Sequence, residues 1–280
     1  MDAGGAIDYE AYGRLIDWQI ASGVAGLVAC GTTAESATMT EEEHRAVIRF
    51  TVERAAGRVP VIAGTGSNCT AKAVAMTRYA CSVGADACLL VTPYYNKATQ
   101  TGLIAHYTAI ADASDRPLIL YNVPSRTGCN LLPATLAELA KLPNINAVKE
   151  ASGNIAQVAE VAQRCGDTLN IYSGNDDQIV PLMALGGKGV ISVLSNIAPQ
   201  YTHDLCAKWL AGDTQGSLAM QLQALPLCRA LFADVNPIPV KWAMNLLGWQ
   251  AGPCRLPLVD PSDAVKEKIK AAMQDFGLLK

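Results

Sequence analysis

From Val24 to Val193 the chain alternates short apolar runs with longer amphipathic ones, and this alternation restricts its fold more than any other feature. The apolar runs are Val24–Cys30, Pro60–Ala63, Asp86–Thr92, Pro117–Tyr121, Ile145–Lys149, Leu169–Ser173 and Gly189–Val193. Their periodicity predicts strands. Between and before them, Ala6–Ser22, Thr40–Ala56, Thr70–Val83, Gly102–Ala113, Pro133–Lys141, Ile155–Arg164 and Asp176–Leu185 carry apolar residues at helical spacing. Thr40 with Glu43, and Thr135 with Glu138, have the spacing of capping boxes. Strands without polar alternation are buried on both faces, which requires a parallel sheet covered by helices. The expected architecture is a (β/α)8 TIM barrel, of which seven strands are visible. A doubly wound open sheet is the competitor. It lacks support, because no GxGxxG follows the first strand, and Gly64-Thr65-Gly66 reads as a tight loop. After Pro199 the pattern becomes purely helical, in Tyr201–Ala211, Thr214–Phe232, Pro239–Gly248 and Pro261–Phe276. The expected division is a barrel domain over 1–212 and a C-terminal helical extension over 213–280.

Half of the 280 residues are hydrophobic, enough for one large core, and a net charge of −3 gives no reason to expect a nucleic-acid partner. The nine cysteines include no CxxC pair and lie mostly in apolar company, as reduced core residues do in a cytoplasmic protein. His44, His106 and His203 have no metal-ligand spacing. No apolar run reaches membrane-spanning length, and no basic, apolar leader opens the chain. The expectation is a soluble cytoplasmic protein with neither metal nor membrane partner.

The polar residues that punctuate this apolar frame fall at the carboxyl ends of the strands. Thr32 and Thr33 follow the first, Tyr94 and Tyr95 the third, Tyr121 ends the fourth, Lys149 the fifth, and Ser173-Gly174-Asn175 the sixth. In a parallel barrel these ends share one rim, where active sites are built. A lysine ending an apolar strand reads in two ways: as a stem that snorkels to water, or as a desolvated amine that attacks carbonyls. Tyr94 reads best as a rim or interface aromatic. Each of the others has an ordinary explanation singly, but together they form a reactive set. An amine condenses with a ketone, phenols and a threonine hydroxyl relay protons, Thr32-Thr33 can hold an α-carboxylate, and Arg126 can grip a second carboxylate with its fork. That set suits carbon–carbon bond formation through a lysine imine of a 2-oxo acid.

Longer stretches carry a family resemblance. Gly31-Thr32-Thr33-Ala34-Glu35-Ser36, Pro93–Lys97, Tyr121–Gly128, Val148-Lys149-Glu150, Gly186–Val193 and Asn236–Lys241 resemble the dihydrodipicolinate synthase family, the 4-hydroxy-tetrahydrodipicolinate synthases of lysine and diaminopimelate biosynthesis. The resemblance spans nearly the whole chain. It implies that Lys149 forms a Schiff base with pyruvate and that Tyr121 donates and accepts protons. It implies that Thr32 links Tyr121 to Tyr95, supplied by a neighbouring subunit, and that Thr33 binds the pyruvate carboxylate. It further implies that Arg126 receives the carboxylate of aspartate 4-semialdehyde and that Gly174 and Ile191 line the pyruvate site. A homotetramer, built as a dimer of dimers without metal or organic cofactor, is implied as well.

Three departures stand against the family pattern. The family opens with a strand before the first helix, and this chain starts after it, so that an unclosed barrel would expose strand edges. Ala34 stands where the family has glycine, a strained position if it needs positive φ. In members that lysine inhibits, the site includes positions matching Ala37, His44, Asn68 and Tyr94 here; an acidic partner of the lysine ammonium is replaced by Lys72 and a histidine by Glu41. Weak or absent lysine inhibition is the expectation. The rival readings are a related pyruvate-imine lyase, such as N-acetylneuraminate lyase or a 2-keto-3-deoxy-sugar-acid aldolase, and a non-catalytic paralogue.

Overall fold

A computed structural model describes residues Met1–Lys280. Seven parallel strands form one curled sheet in simple sequential order. They are β1 (Leu27–Ala29), β2 (Val61–Gly64), β3 (Ala87–Val91), β4 (Leu118–Asn122), β5 (Ile145–Glu150), β6 (Asn170–Ser173) and β7 (Gly189–Val190). Helices α1 (Tyr9–Ala21), α2 (Glu41–Ala55), α3 (Thr70–Ser82), α4 (Gln100–Ala111), α5 (Pro124–Thr127), α6 (Pro133–Leu139), α7 (Ile155–Cys165) and α8 (Ile179–Ala184) precede or connect them. Four more helices end the chain: α9 (Pro199–Leu210), α10 (Thr214–Leu231), α11 (Ile238–Leu246) and α12 (Asp263–Asp275). The sheet is a curl rather than a ring, since β1 pairs only with β2 and β7 only with β6. No helix is long and apolar enough to cross a membrane.

Local chemistry accounts for most of the element ends. Thr40 caps α2 through the expected capping box, with both reciprocal bonds to Glu43 made. The second expected box does not form. Proline opens α6 at residue 133, so Thr135 lies inside its first turn, buried, and donates to Gln100 Oε1 at 2.6 Å. Helix α4 starts two residues before the predicted Gly102, because Thr99 caps it by accepting from the Gly102 amide. The short helix α5 was not foreseen; Pro124 starts it and Gly128 ends it within one turn. Ala34 is not among the residues with positive φ. That conformation falls one residue later, at Glu35 (φ 57°), so the alanine is unstrained. Gly64 sits where a Cβ would lie 2.2 Å from the Cys30 carbonyl oxygen, so the glycine serves backbone packing between β1 and β2 rather than a phosphate.

Two apolar layers sandwich the sheet. The larger lies outside, where Leu90, Leu118, Leu120, Ile145 and Val148 pack against α2, α3, α4, α6 and α7. The inner layer is small: Leu89, Ile119, Tyr121, Val123, Ala147 and Ala151, with Val28, Ile62, Tyr172 and Ile191 partly covering it. One irregularity joins the two layers. The pairing of β4 with β5 shifts between Leu118 and Ile119: Leu118 faces Ile145, but Ile119 faces Ala147. The extra residue, Asn146, brings Lys149 rather than Val148 opposite Tyr121. The C-terminal helices bury their own cluster, centred on Leu227, Leu231, Val240, Ala243 and Ile269, against the segment Val193–Ala198 after β7.

Beneath the carboxyl ends of β4 and β5 lies a buried polar network. Glu150, 3% exposed, accepts from the Ser152 amide at 2.6 Å, Asn122 Nδ2 at 3.0 Å and Gln157 Nε2 at 3.3 Å. Asn122 in turn accepts from the Leu131 amide at 2.9 Å. A carboxylate so placed ties β4, β5 and α7 together, and its removal strands several donors. Glu150→Ala is expected to lower unfolding free energy by about 3 kcal/mol in urea denaturation; a loss below about 1 kcal/mol would show the network to be dispensable.

Candidate active site

The register row that runs Val91, Tyr121, Lys149, Tyr172, Gly189 crosses the sheet near its carboxyl edge. Register partners in a parallel sheet point to the same face, so Tyr121 and Lys149 project together into the interior. The Lys149 Nζ lies 4.3 Å from the centroid of the Tyr121 ring. Burial draws the pKa of this amine down to about 8; the carboxylate of Asp176 opposes the shift and Arg126 adds to it. Its stem is close to Gly174, where a Cβ would come within 2.6 Å of the Ala151 Cβ and 3.1 Å of the Lys149 Cε. Glycine at 174 therefore leaves the lysine its path.

A cavity of about 1150 Å³ opens above the amine and continues between the free edges of β1 and β7. Thr32, Thr33, Tyr121, Arg126, Lys149, Gly174 and Ile191 all line it, so seven of the eight residues predicted from the sequence meet in one place. The Tyr121 phenol is pushed up by burial, partly offset by the Arg126 charge and the Thr32 hydroxyl, and stays protonated at neutral pH. Arg126, on α5, donates from Nη2 to the Asn236 carbonyl oxygen at 3.2 Å. Tyr95 lies elsewhere. It is 89% exposed, has φ 75°, and is held by its backbone amide to the Thr127 carbonyl oxygen at 3.3 Å. Tyr94 beside it is 42% exposed.

Other residues of the site carried no role in the sequence reading. Glu35, buried and left-handed, accepts from the Lys241 ammonium and, at 2.8 Å, from the Arg255 amide. It thereby fixes the Thr32-Thr33 loop to the C-terminal helices. Arg255 also forks onto Glu43, holding that carboxyl down at about 2. Asn236 donates from Nδ2 to Thr33 Oγ1 at 3.0 Å. Asp176 accepts from the Val193 and Leu194 amides at 2.9 and 2.8 Å, and burial raises its pKa. Glu35, Asn236 and Lys241 lie within stretches that carry the family resemblance, but their contacts join residues about two hundred positions apart, which local pattern does not reveal. No group of three or more His, Cys, Asp or Glu side chains is arranged to hold a metal ion.

A desolvated amine beside a phenol, at the carboxyl edge of a parallel sheet with an open cavity above it, defines an enzyme. A model of the Dihydrodipicolinate synthetase family matches residues 1–276, and the chain belongs to that family. It is 59% identical over 274 residues to a 4-hydroxy-tetrahydrodipicolinate synthase of Lachnoclostridium phytofermentans, covering 98% of this chain and 93% of the relative. Among solved structures, a chloride-inhibited dihydrodipicolinate synthase from Acinetobacter baumannii, in complex with pyruvate, superposes with a TM-score of 0.97 at 42% identity, over 100% of this chain and 96% of that one. A dihydrodipicolinate synthase from Aquifex aeolicus gives 0.96 at 43% identity, over 98% and 94%.

Gly174→Ala tests the geometry around the amine. Crowding the Lys149 stem is expected to lower kcat by about 10²-fold, and the melting temperature falls as well, because the new Cβ meets the Ala151 Cβ at 2.6 Å. Unchanged turnover would mean that the stem has room the structure does not give it.

Proposed function

We propose that this chain is a 4-hydroxy-tetrahydrodipicolinate synthase, a lyase of lysine and diaminopimelate biosynthesis, and that Lys149 carries its chemistry. The observation that supports this most is the Lys149 amine, lowered to a pKa of about 8, 4.3 Å from the Tyr121 ring centroid. At pH 7 roughly a tenth of such an amine is neutral, against about one part in several thousand for an ordinary lysine.

The neutral amine attacks C2 of pyruvate to give a carbinolamine, and Tyr121 supplies the proton with which the hydroxyl leaves as water. The imine then loses a C3 proton to the Tyr121 phenolate left by that step, and the enamine carbon attacks the aldehyde of aspartate 4-semialdehyde, whose oxygen takes the proton back. The α-amine of that second substrate displaces Lys149 as the ring closes. Thr33 holds the pyruvate carboxylate, with Gly174 and Ile191 as walls. Arg126 holds the second carboxylate, and this favours a small acidic aldehyde over a polyol sugar acid. The only group carrying the substrate covalently is Lys149, and no metal or organic cofactor takes part.

Tyr95 completes the proton relay through Thr32 from a neighbouring subunit. Its 89% exposure and left-handed backbone suit a side chain offered outward. The assembly is a homotetramer, a dimer of dimers; sedimentation as a fully active monomer would exclude this role for Tyr95. The seven strands are those of a (β/α)8 barrel whose remaining position lies between β1 and β7, and residues 213–280 form its helical extension. Superposition over 96% of a solved relative at a TM-score of 0.97 favours this reading. A crystal structure in which β1 and β7 pair directly with each other would contradict it. The protein works in the cytoplasm, consistent with nine free cysteines; a secreted, disulfide-bonded form would exclude this.

Borohydride with pyruvate is expected to trap one adduct on Lys149 by mass spectrometry, and Lys149→Arg is expected to trap none. An adduct elsewhere, or none on the unaltered protein, would end the Schiff-base reading. Free lysine at sub-millimolar concentration is expected to leave activity unchanged, because Lys72 carries a cation and Glu41 is paired with Arg45 at 2.6 Å. Half-inhibition in that range would overturn the expectation.

A further inference from the structure

We propose that Asn236 is a positioning residue that sets the direction of the Thr33 hydroxyl, and so decides whether that hydroxyl can bind a carboxylate. The inference rests on the reading above, in which Thr33 holds the pyruvate carboxylate.

Asn236 lies between α10 and α11, far along the chain from the loop it touches, and is 5% exposed. Its Nδ2 donates to Thr33 Oγ1 at 3.0 Å. A threonine hydroxyl has one proton and two lone pairs. By accepting from Asn236, Thr33 keeps its own proton free, and Thr33 lines the cavity above Lys149. Were the neighbour an acceptor, the proton would turn toward it and the oxygen lone pairs would face the anion instead. The donor geometry is the Nδ2 contact itself; Asn236 Oδ1 is buried and has no hydrogen-bond partner within the chain. The same residue holds the second carboxylate's arginine, since its backbone carbonyl accepts from Arg126 Nη2 at 3.2 Å. That bond comes from the main chain, so substitutions of the side chain leave it intact.

Two substitutions separate this role from a structural one. Asn236→Asp keeps the shape but replaces the donor with an acceptor and adds a negative charge. Asn236→Ala removes the side chain and leaves the Thr33 hydroxyl free to rotate. The readout is the pyruvate concentration that half-saturates borohydride trapping on Lys149, without the aldehyde. Alanine is expected to raise it about fivefold and the isosteric aspartate about a hundredfold. In a Thr33→Val background the alanine effect is expected to shrink to less than twofold, because the route through the hydroxyl is gone, while the aspartate keeps only its direct repulsion of the carboxylate. Aspartate tolerated better than alanine, or an undiminished alanine effect in the Thr33→Val background, would overturn the inference. Failure of the unaltered protein to trap pyruvate would instead sink the functional reading on which it rests.

Discussion

One extra residue in β5 governs the site. Were β4 and β5 paired without a shift, Tyr121 would face Val148, and Lys149 would turn toward the outer apolar layer. The shift at Asn146 moves Ala147 and Lys149 inward while Ile145 and Val148 stay packed outside. Away from such a shift the side chains of a strand alternate faces, so an unshifted pairing would leave the amine on the other face from the phenol. Beside it, the inner layer is small and apolar enough to leave the amine poorly hydrated.

The surroundings then hold this arrangement in place. Glu150 anchors the ends of β4 and β5 from below through Asn122 and Gln157. Gly174 clears the lysine's path from the side. From the distant end of the chain, Lys241 and Arg255 fasten Glu35, and with it the loop that presents Thr32 and Thr33. Breaking a buried pair such as Glu35–Lys241 leaves an uncompensated charge, which costs about 3–5 kcal/mol. The C-terminal helices are therefore part of the site as well as a cover for the sheet.

Much of this was legible in the residues. Apolar runs without alternation required a parallel sheet, and the parallel sheet required that strand-end residues share a rim. Thr32, Thr33, Tyr121, Lys149 and Gly174 accordingly meet in one cavity; Arg126, on α5, and Ile191, pointed to only by the family resemblance, line it with them. Other features were not legible. A register shift has no specific sequence mark: Asn146 is a poor strand former, but a polar residue within a strand does not by itself indicate a bulge. Thr135 with Glu138 matched a capping box, yet proline at 133 had already opened the helix. Asn236 and Lys241 reach the site only after the chain returns from about two hundred residues away, a contact that local pattern cannot reveal. Tyr95 is exposed and does not line the cavity of its own chain, so spacing alone could not bring it to Tyr121.

The central physical claim is that the Lys149 amine is desolvated next to an un-ionised phenol. Its ionisation can be measured directly by ¹³C-methylating the lysines and following the Lys149 resonance against pH. The expected midpoint is near 8, with the amine charged below it and neutral above, and Gly174→Ala leaving every other lysine unmoved. A midpoint in the ordinary lysine range, at about 10.4 or higher, would contradict the account.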